Sequence, residues 1–364
     1  MLVHATTLKF FQPNYVEARD GFLQAAKQRG DHLESLEVLP GHTIDVALGD
    51  GPKDRVLLLS SGLHGVEGFA GSAIQQAVMA DPPRDCRLVC LHALNPFGMA
   101  TIRRVNENNV DLNRNFLPPG EAYFQPADSY RPFHPLLNPE TPPKADFFLP
   151  KALALLMKHG MPALKQAVVG GQYEFSKGLF FGGEQLEKGP RMLMQALPDW
   201  LSEAEQIVHL DFHTGLGKSG TYALLVETEA GTEKHQEFLA RYGDRVQPWQ
   251  AGEGVAYQIR GGFPSAMERL FPGRIEVLTC EFGTQPALKV LQALRRENQV
   301  HHFGGSAKAT AAAKSALRAA FDPQNDAWRC QILAGGLRVA AQAAQQLGQE
   351  RAIPAATSSS PLKA

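Results

Sequence analysis

The feature that most constrains this chain is a set of short runs dominated by aliphatic residues, each closed by a turn signal. They are Arg55-Val56-Leu57-Leu58-Leu59-Ser60, Arg87-Leu88-Val89-Cys90-Leu91-His92, Gln206–Phe212, Thr221–Val226 and Arg274–Cys280. Successive residues of a strand point to opposite faces, so a strand that is apolar along its length is buried on both. Helices must then cover both faces of the sheet. Helical patterns occur where that requires them, from about Tyr15 to Gln28 with Gly30 as the stop and from about Ala70 to Met79. Two further strand-like segments, Leu33–Leu39 and His42–Leu48, flank Pro40-Gly41 and read as a hairpin. The expected fold class is α/β, with a mixed, largely parallel central sheet and helices on both faces.

The rest of the chain is organised around that body. Leu117 to about Pro150 is rich in proline and aromatics with little periodicity, and helices follow to about Trp200. Segments of this length are functional or disordered more often than merely connecting. This reads as an insertion over 117–200. An Ala-rich helical stretch runs from Ser306 through Phe321 and again from about Asp326 to Gly348, so 306–354 is expected to be a helical C-terminal extension of a 1–305 body. The stretch 355–364 contains Thr-Ser-Ser-Ser-Pro and is expected to be a disordered tail.

Composition narrows the partners. A net charge of −1 argues against a nucleic-acid partner, which needs a basic surface. No apolar run reaches the roughly 18 residues of a membrane span, and Met1–Ala5 starts no signal peptide, so no membrane partner is expected. Cys86, Cys90, Cys280 and Cys330 lie in or beside apolar runs and read as reduced, mostly buried thiols of a cytoplasmic protein. Cys86 and Cys90 lack a matching second pair, which argues against a cysteine zinc site.

The chemistry gathers at strand ends. Ser61-Gly62-Leu63-His64-Gly65-Val66-Glu67-Gly68 follows the first buried strand, and its glycines let the backbone turn tightly. Imidazole and carboxylate both suit Zn²⁺. His213 ends the third buried strand and Glu281 the fifth. Ligands of open α/β sheets collect at the carboxyl ends of strands. Each residue alone could be a cap or a surface group, but His64, Glu67, His213 and Glu281 together occupy one rim. Two histidines and a carboxylate with an open fourth position form a catalytic zinc arrangement, and a further carboxylate can serve as general base. Asn95-Pro96-Phe97-Gly98, Arg103-Arg104 and Val110–Phe116 follow the second strand and should overhang the same rim. Arginine there could bind a substrate carboxylate or a developing oxyanion, or the segment could be a solvated loop.

In this order the segments resemble the zinc carboxypeptidase superfamily: carboxypeptidase A-type metallopeptidases and the bacterial branch related to succinylglutamate desuccinylase and aspartoacylase. The resemblance runs from about Arg55 to Pro286. It implies a 1–305 catalytic domain of carboxypeptidase-like fold that holds one Zn²⁺ per chain through His64, Glu67 and His213. It further implies Glu281 as the catalytic carboxylate, Arg104 rather than Arg103 as the oxyanion arginine, and Asp111 as the carboxylate that orients a ligand histidine. Asn113 and Arg114 match its Asn-Arg signature, which binds the substrate's terminal carboxylate. Tyr257, in Tyr257-Gln258-Ile259-Arg260-Gly261-Gly262, matches the tyrosine of a mobile loop. The implied function is zinc-dependent hydrolysis of an amide bond next to a free carboxylate, as a carboxypeptidase acting on small peptides. An N-acyl-amino-acid deacylase would use the same metal chemistry. A catalytically silent binding protein would have lost a ligand or the glutamate, and none is lost. The oligomeric state is not set by the sequence.

Overall fold

The computed structural model describes residues 8–144, 147–248 and 259–348. The expected tail at 355–364 and Tyr257 fall outside the described residues. The chain opens with α1 (Tyr15–Arg29). Asn14 caps its first turn by accepting the Glu17 N–H, and Gly30 ends it at φ 85°. β1 (His32–Leu39) and β2 (His42–Leu48) form the hairpin across Pro40-Gly41. Then come β3 (Arg55–Ser61), α2 (Gly68–Ala80), β4 (Arg87–His92) and α3 (Pro96–Thr101). The insertion holds α4 (His134–Leu137), α5 (Phe148–Gly170) and α6 (Lys188–Trp200). The second half runs β5 (Gln206–Gly215), β6 (Tyr222–Val226), α7 (Glu233–Tyr242), β7 (Val246–Pro248), α8 (Phe263–Leu270), β8 (Ile275–Gly283), α9 (Ala287–Phe303), α10 (Ala307–Phe321) and α11 (Asp326–Gly348).

The strands make one mixed sheet in the order β1-β2-β4-β3-β5-β8-β6-β7. The central β4-β3-β5-β8 block is parallel, as are β6 and β7, and the outer joins β1–β2, β2–β4 and β6–β8 are antiparallel. Alternation along the central strands feeds two cores. Leu57, Leu59, Val208, Leu210, Leu278 and Cys280 face a core that includes Phe22 of α1, Ile74 of α2 and Ile332 of α11. Val56, Leu58, Ile207 and Val277 face Leu193 and Leu197 of α6 and Phe263 and Met267 of α8. The C-terminal helix thus forms part of a main core. The Pro/aromatic segment is packed too: Tyr130, Phe133 and Leu137 join Leu294 of α9 and Leu317 and Phe321 of α10 in a third cluster.

The ends of β5 and β8 and the start of α2 differ from the sequence reading. β5 and β8 pair in continuous register out to Gly215↔Gly283, so His213 and Glu281 sit inside paired strands. α2 begins at Gly68 because the turn after β3 winds directly into it. Among the described residues no helix is long and apolar enough to cross a membrane.

Candidate metal centre

The centre is built on three neighbouring strand ends. After β3 the chain passes Gly62 and Leu63 to His64, then makes a single 3₁₀ turn, Gly65–Glu67, into α2. Gly65 packs so closely on the Gly98–Met99 backbone that any Cβ would overlap it. The turn is fixed there by Gly65 N–H donating to Arg104 O at 3.1 Å and Val66 N–H donating to Arg103 O at 2.8 Å. This brings His64 and Glu67 to one side and ties the Arg103-Arg104 segment to them. On the adjoining strands His213 and Glu281 are register partners, so both side chains leave the same face at the same level.

His64, Glu67 and His213 each offer a donor atom, and these atoms lie within 4.8 Å of one another. All three residues are buried. His64 Nδ1 is 2.9 Å from Glu67 Oε1, His213 Nδ1 is 3.1 Å from Glu67 Oε2, and the two Nδ1 atoms are 3.2 Å apart. At most one proton fits between those two nitrogens, and a cation can take its place. Behind each ring stands a carboxylate: Asp111 Oδ1 at 3.1 Å from His64 Nε2 and Asp211 Oδ2 at 2.7 Å from His213 Nε2. At His213 such a partner takes the outer N–H and leaves the inner nitrogen free to ligate, while His64 Nε2 lies between the Asp111 carboxylate and the Arg104 guanidinium. Two imidazoles and one carboxylate fit zinc with one position open, so the residues present suit the ion that the resemblance implies.

The electrostatics fit the same design. Burial opposes ionisation of Glu67, but the neighbouring His64 and His213 outweigh it and hold the carboxyl below its ordinary range. Asp111 is likewise held well below its range against burial, chiefly by Arg104 and His64. Burial works against His213 as a cation, yet Asp211 and Glu67 raise it well above its usual value. Glu281 is pushed up to about 7, first by burial and then by the facing Glu67 carboxylate. Glu281 Oε1 accepts the Leu216 N–H at 2.8 Å, which fixes its orientation at the rim.

Arg104 and Arg103 part company. Arg104 donates to Asp111 Oδ2 at 3.1 Å and to Glu67 Oε1 at 3.0 Å, and its Nη2 stands 2.7 Å from His64 Nε2. Arg103 turns away, is fully buried, and donates to Glu297 Oε1 of α9 at 3.0 Å and to Asn109 Oδ1 at 3.0 Å. Arg114 is 4% exposed; its Nη1 donates to the Asn113 carbonyl and its Nε is buried without a partner, so this guanidinium has no carboxylate of its own among the described residues. Asn113 spends Oδ1 on the Phe263 N–H at 3.0 Å, starting α8. Tyr257 lies outside the described residues.

Asp211 was not singled out in the sequence. The signal for it is its spacing: on a strand, residues two apart share a face, so Asp211-x-His213 places a carboxylate beside a ligand imidazole. A second missed signal is backbone conformation. Ala93, Ile102, Asn109 and Phe180 all have positive φ without being glycine, and they lie in segments around the rim.

Fold and site together define an α/β protein with a buried His–Glu–His cluster at the carboxyl ends of its central strands. The chain belongs to the family described as "Protein of unknown function (DUF2817)", whose model matches residues 11–335. No curated protein matches it. Among solved structures it is similar to carboxypeptidase A from Helicoverpa armigera, at 15% identity over 92% of this chain and 73% of that one, with a TM-score of 0.46. It is also similar to murein-tripeptide amidase MpaA from Escherichia coli O157, at 17% identity over 73% and 91%, with a TM-score of 0.38. A third is an aspartoacylase family protein from Mesorhizobium loti, at 14% identity over 75% and 67%, with a TM-score of 0.37. What this molecule does is therefore read from its own side chains.

Proposed function

We propose that this chain is a zinc metallopeptidase that hydrolyses an amide bond next to a free carboxylate, as a carboxypeptidase of small peptides. The observation that carries this reading is the convergence of His64, Glu67 and His213, each imidazole backed by a carboxylate, with Glu281 alongside. His64, Glu67 and His213 would hold one zinc ion per chain. When bound, zinc supplies a Lewis acid that polarises a carbonyl and makes water nucleophilic near neutral pH.

The remaining work falls to the chain. Glu281, raised to about 7, takes a proton from the attacking water and passes it to the leaving amine. Arg104 keeps its charge beside the cluster and supports the oxyanion. Arg114, buried without a carboxylate partner among the described residues, and Asn113 beside it bind the terminal carboxylate of the substrate. Closure of Tyr257 over the substrate belongs to the same proposal, and the buried thiols of Cys86, Cys90 and Cys280 fit a reducing, cytoplasmic setting.

The test compares zinc-loaded wild type and Arg114→Met on short peptides, their C-terminal amides and N-acyl amino acids. Wild type should prefer the free acid strongly, and Arg114→Met should narrow that preference, through KM if Arg114 only anchors and through kcat as well if anchoring aligns the scissile bond. Equal kcat/KM for acid and amide in the wild type would end the carboxypeptidase reading. Turnover confined to N-acyl amino acids would move it to a deacylase.

A further inference from the structure

A row of buried polar groups extends inward from the candidate metal centre. His209, Asp211 and His213 are two apart on β5 and share a face, and Ser60 of β3 is the register partner of Asp211. Ser60 Oγ lies 2.5 Å from Asp211 Oδ1 and 2.7 Å from His209 Nε2. Asp211 Oδ2 lies 2.7 Å from His213 Nε2. Ser60, His209 and Asp211 have no solvent exposure.

The protons of this row follow from what each group can do. A carboxylate only accepts, so Ser60 gives its single proton to Asp211. The serine oxygen then has only lone pairs for His209, so His209 Nε2 is the donor there. Asp211 accepts from His213 Nε2–H on its other oxygen, which turns the His213 Nδ1 toward His64 and Glu67. Donation thus runs from His209 to Ser60 to Asp211, where it meets the bond from His213.

His209 retains a cost that packing does not explain. Its Nδ1 is buried without a partner among the described residues, while its ring stands edge-on to Phe263 with centroids 5.5 Å apart. An apolar ring would fill that space without leaving a bare acceptor. The one polar contact the imidazole makes among the described residues is the bond to Ser60.

We propose that Ser60 and His209 are positioning residues for the metal centre: their hydrogen-bond chain clamps the Asp211 carboxylate, and so holds His213 Nδ1 in the ligating tautomer and orientation. The proposal rests on the metal-centre reading above. It is tested on the full chain by competing zinc against a chelator in wild type, Ser60→Ala, His209→Phe, His209→Gln and the Ser60→Ala/His209→Phe double variant. The melting temperature of each metal-free form and the absorption spectrum of each cobalt-loaded form are read alongside. Ser60→Ala and His209→Phe should each weaken zinc binding about 10–100-fold, the range for partners that orient metal ligands. Each should also shift the cobalt spectrum. The double variant should bind about as weakly as the worse single, because both changes break one chain. His209→Gln keeps a donor toward Ser60 and should recover most of the loss. Binding within about twofold of wild type in both single variants overturns the proposal, as does a His209→Gln no better than His209→Phe. A loss matched by equal weakening of the metal-free fold also overturns it. If His209→Phe does not fold, Ser60→Ala and His209→Gln decide. A wild type that takes up no zinc overturns the metal-centre reading itself, and this proposal with it.

Discussion

At Glu281 an ordinary side chain acquires a special role from its position. Its carboxyl is turned into the rim, anchored by the Leu216 N–H and facing Glu67, which keeps it a ready proton acceptor near neutral pH. Glu281→Gln preserves shape and cannot take the proton. It should retain zinc and fold while kcat falls about 10²–10⁴-fold; a variant keeping more than about a tenth of wild-type turnover removes Glu281 from the mechanism. His64, Glu67, His213 and Glu281 were legible in the sequence because each follows or ends an apolar run, where sheet topology gathers ligands. Ser60 and His209 were not, because a polar residue inside a strand has no meaning until its register partner is known, and Asp211 is legible only through its two-residue spacing to His213. Arg103 and Arg104 are adjacent in sequence and separated only by what faces them, Glu297 for one and Glu67 with Asp111 for the other.

Among the elements, the insertion departs furthest from its sequence appearance. Its first part, Leu117 to about Pro150, lacks periodicity because its apolar residues pack partly on one another and partly on α9 and α10, far along the chain, and not along one helical face. The insertion also shapes the rim. Tyr173 donates to the Arg114 carbonyl at 2.5 Å, and Gly171, at φ 70° and ψ −169° at the end of α5, lies against the Arg114 side chain. That backbone region is open almost only to glycine, and another residue there costs about 1–3 kcal/mol. A Cβ on Gly171 would also stand 2.8 Å from Arg114 Cδ. Gly171→Ala should therefore raise KM for free-acid substrates several-fold and narrow the acid-over-amide preference, with zinc content unchanged. Kinetics on matched acid and amide peptides check this, and an unaltered preference would show that the insertion does not set Arg114. The core strands and the C-terminal helices, by contrast, were readable, since each carries its own period or apolar run.

For the molecule as a whole, stability depends on groups kept neutral in the core. His92 has no solvent exposure, stacks on Phe22 and is pushed down to about 4 by burial. The unfolded chain takes up a proton at about 6.5, so its stabilising share is complete above that pH and is lost as pH falls toward 4, to a limit of about 3 kcal/mol. Urea midpoints should fall between pH 7 and pH 5, and His92→Gln should flatten part of that slope; an unchanged slope would assign the loss to other groups. The strand order has a further consequence, for how the molecule is made. β8 lies between β5 and β6 although β6 and β7 precede it in the chain. During synthesis the first-made strands therefore present a bare β5 edge, and β6 and β7 emerge with no place in the sheet until β8 is delivered. Long-range pairing of this kind is slow and leaves strand edges open to other chains. The vulnerable moment in the life of this protein falls on the ribosome, before Ile275 arrives to join the two halves.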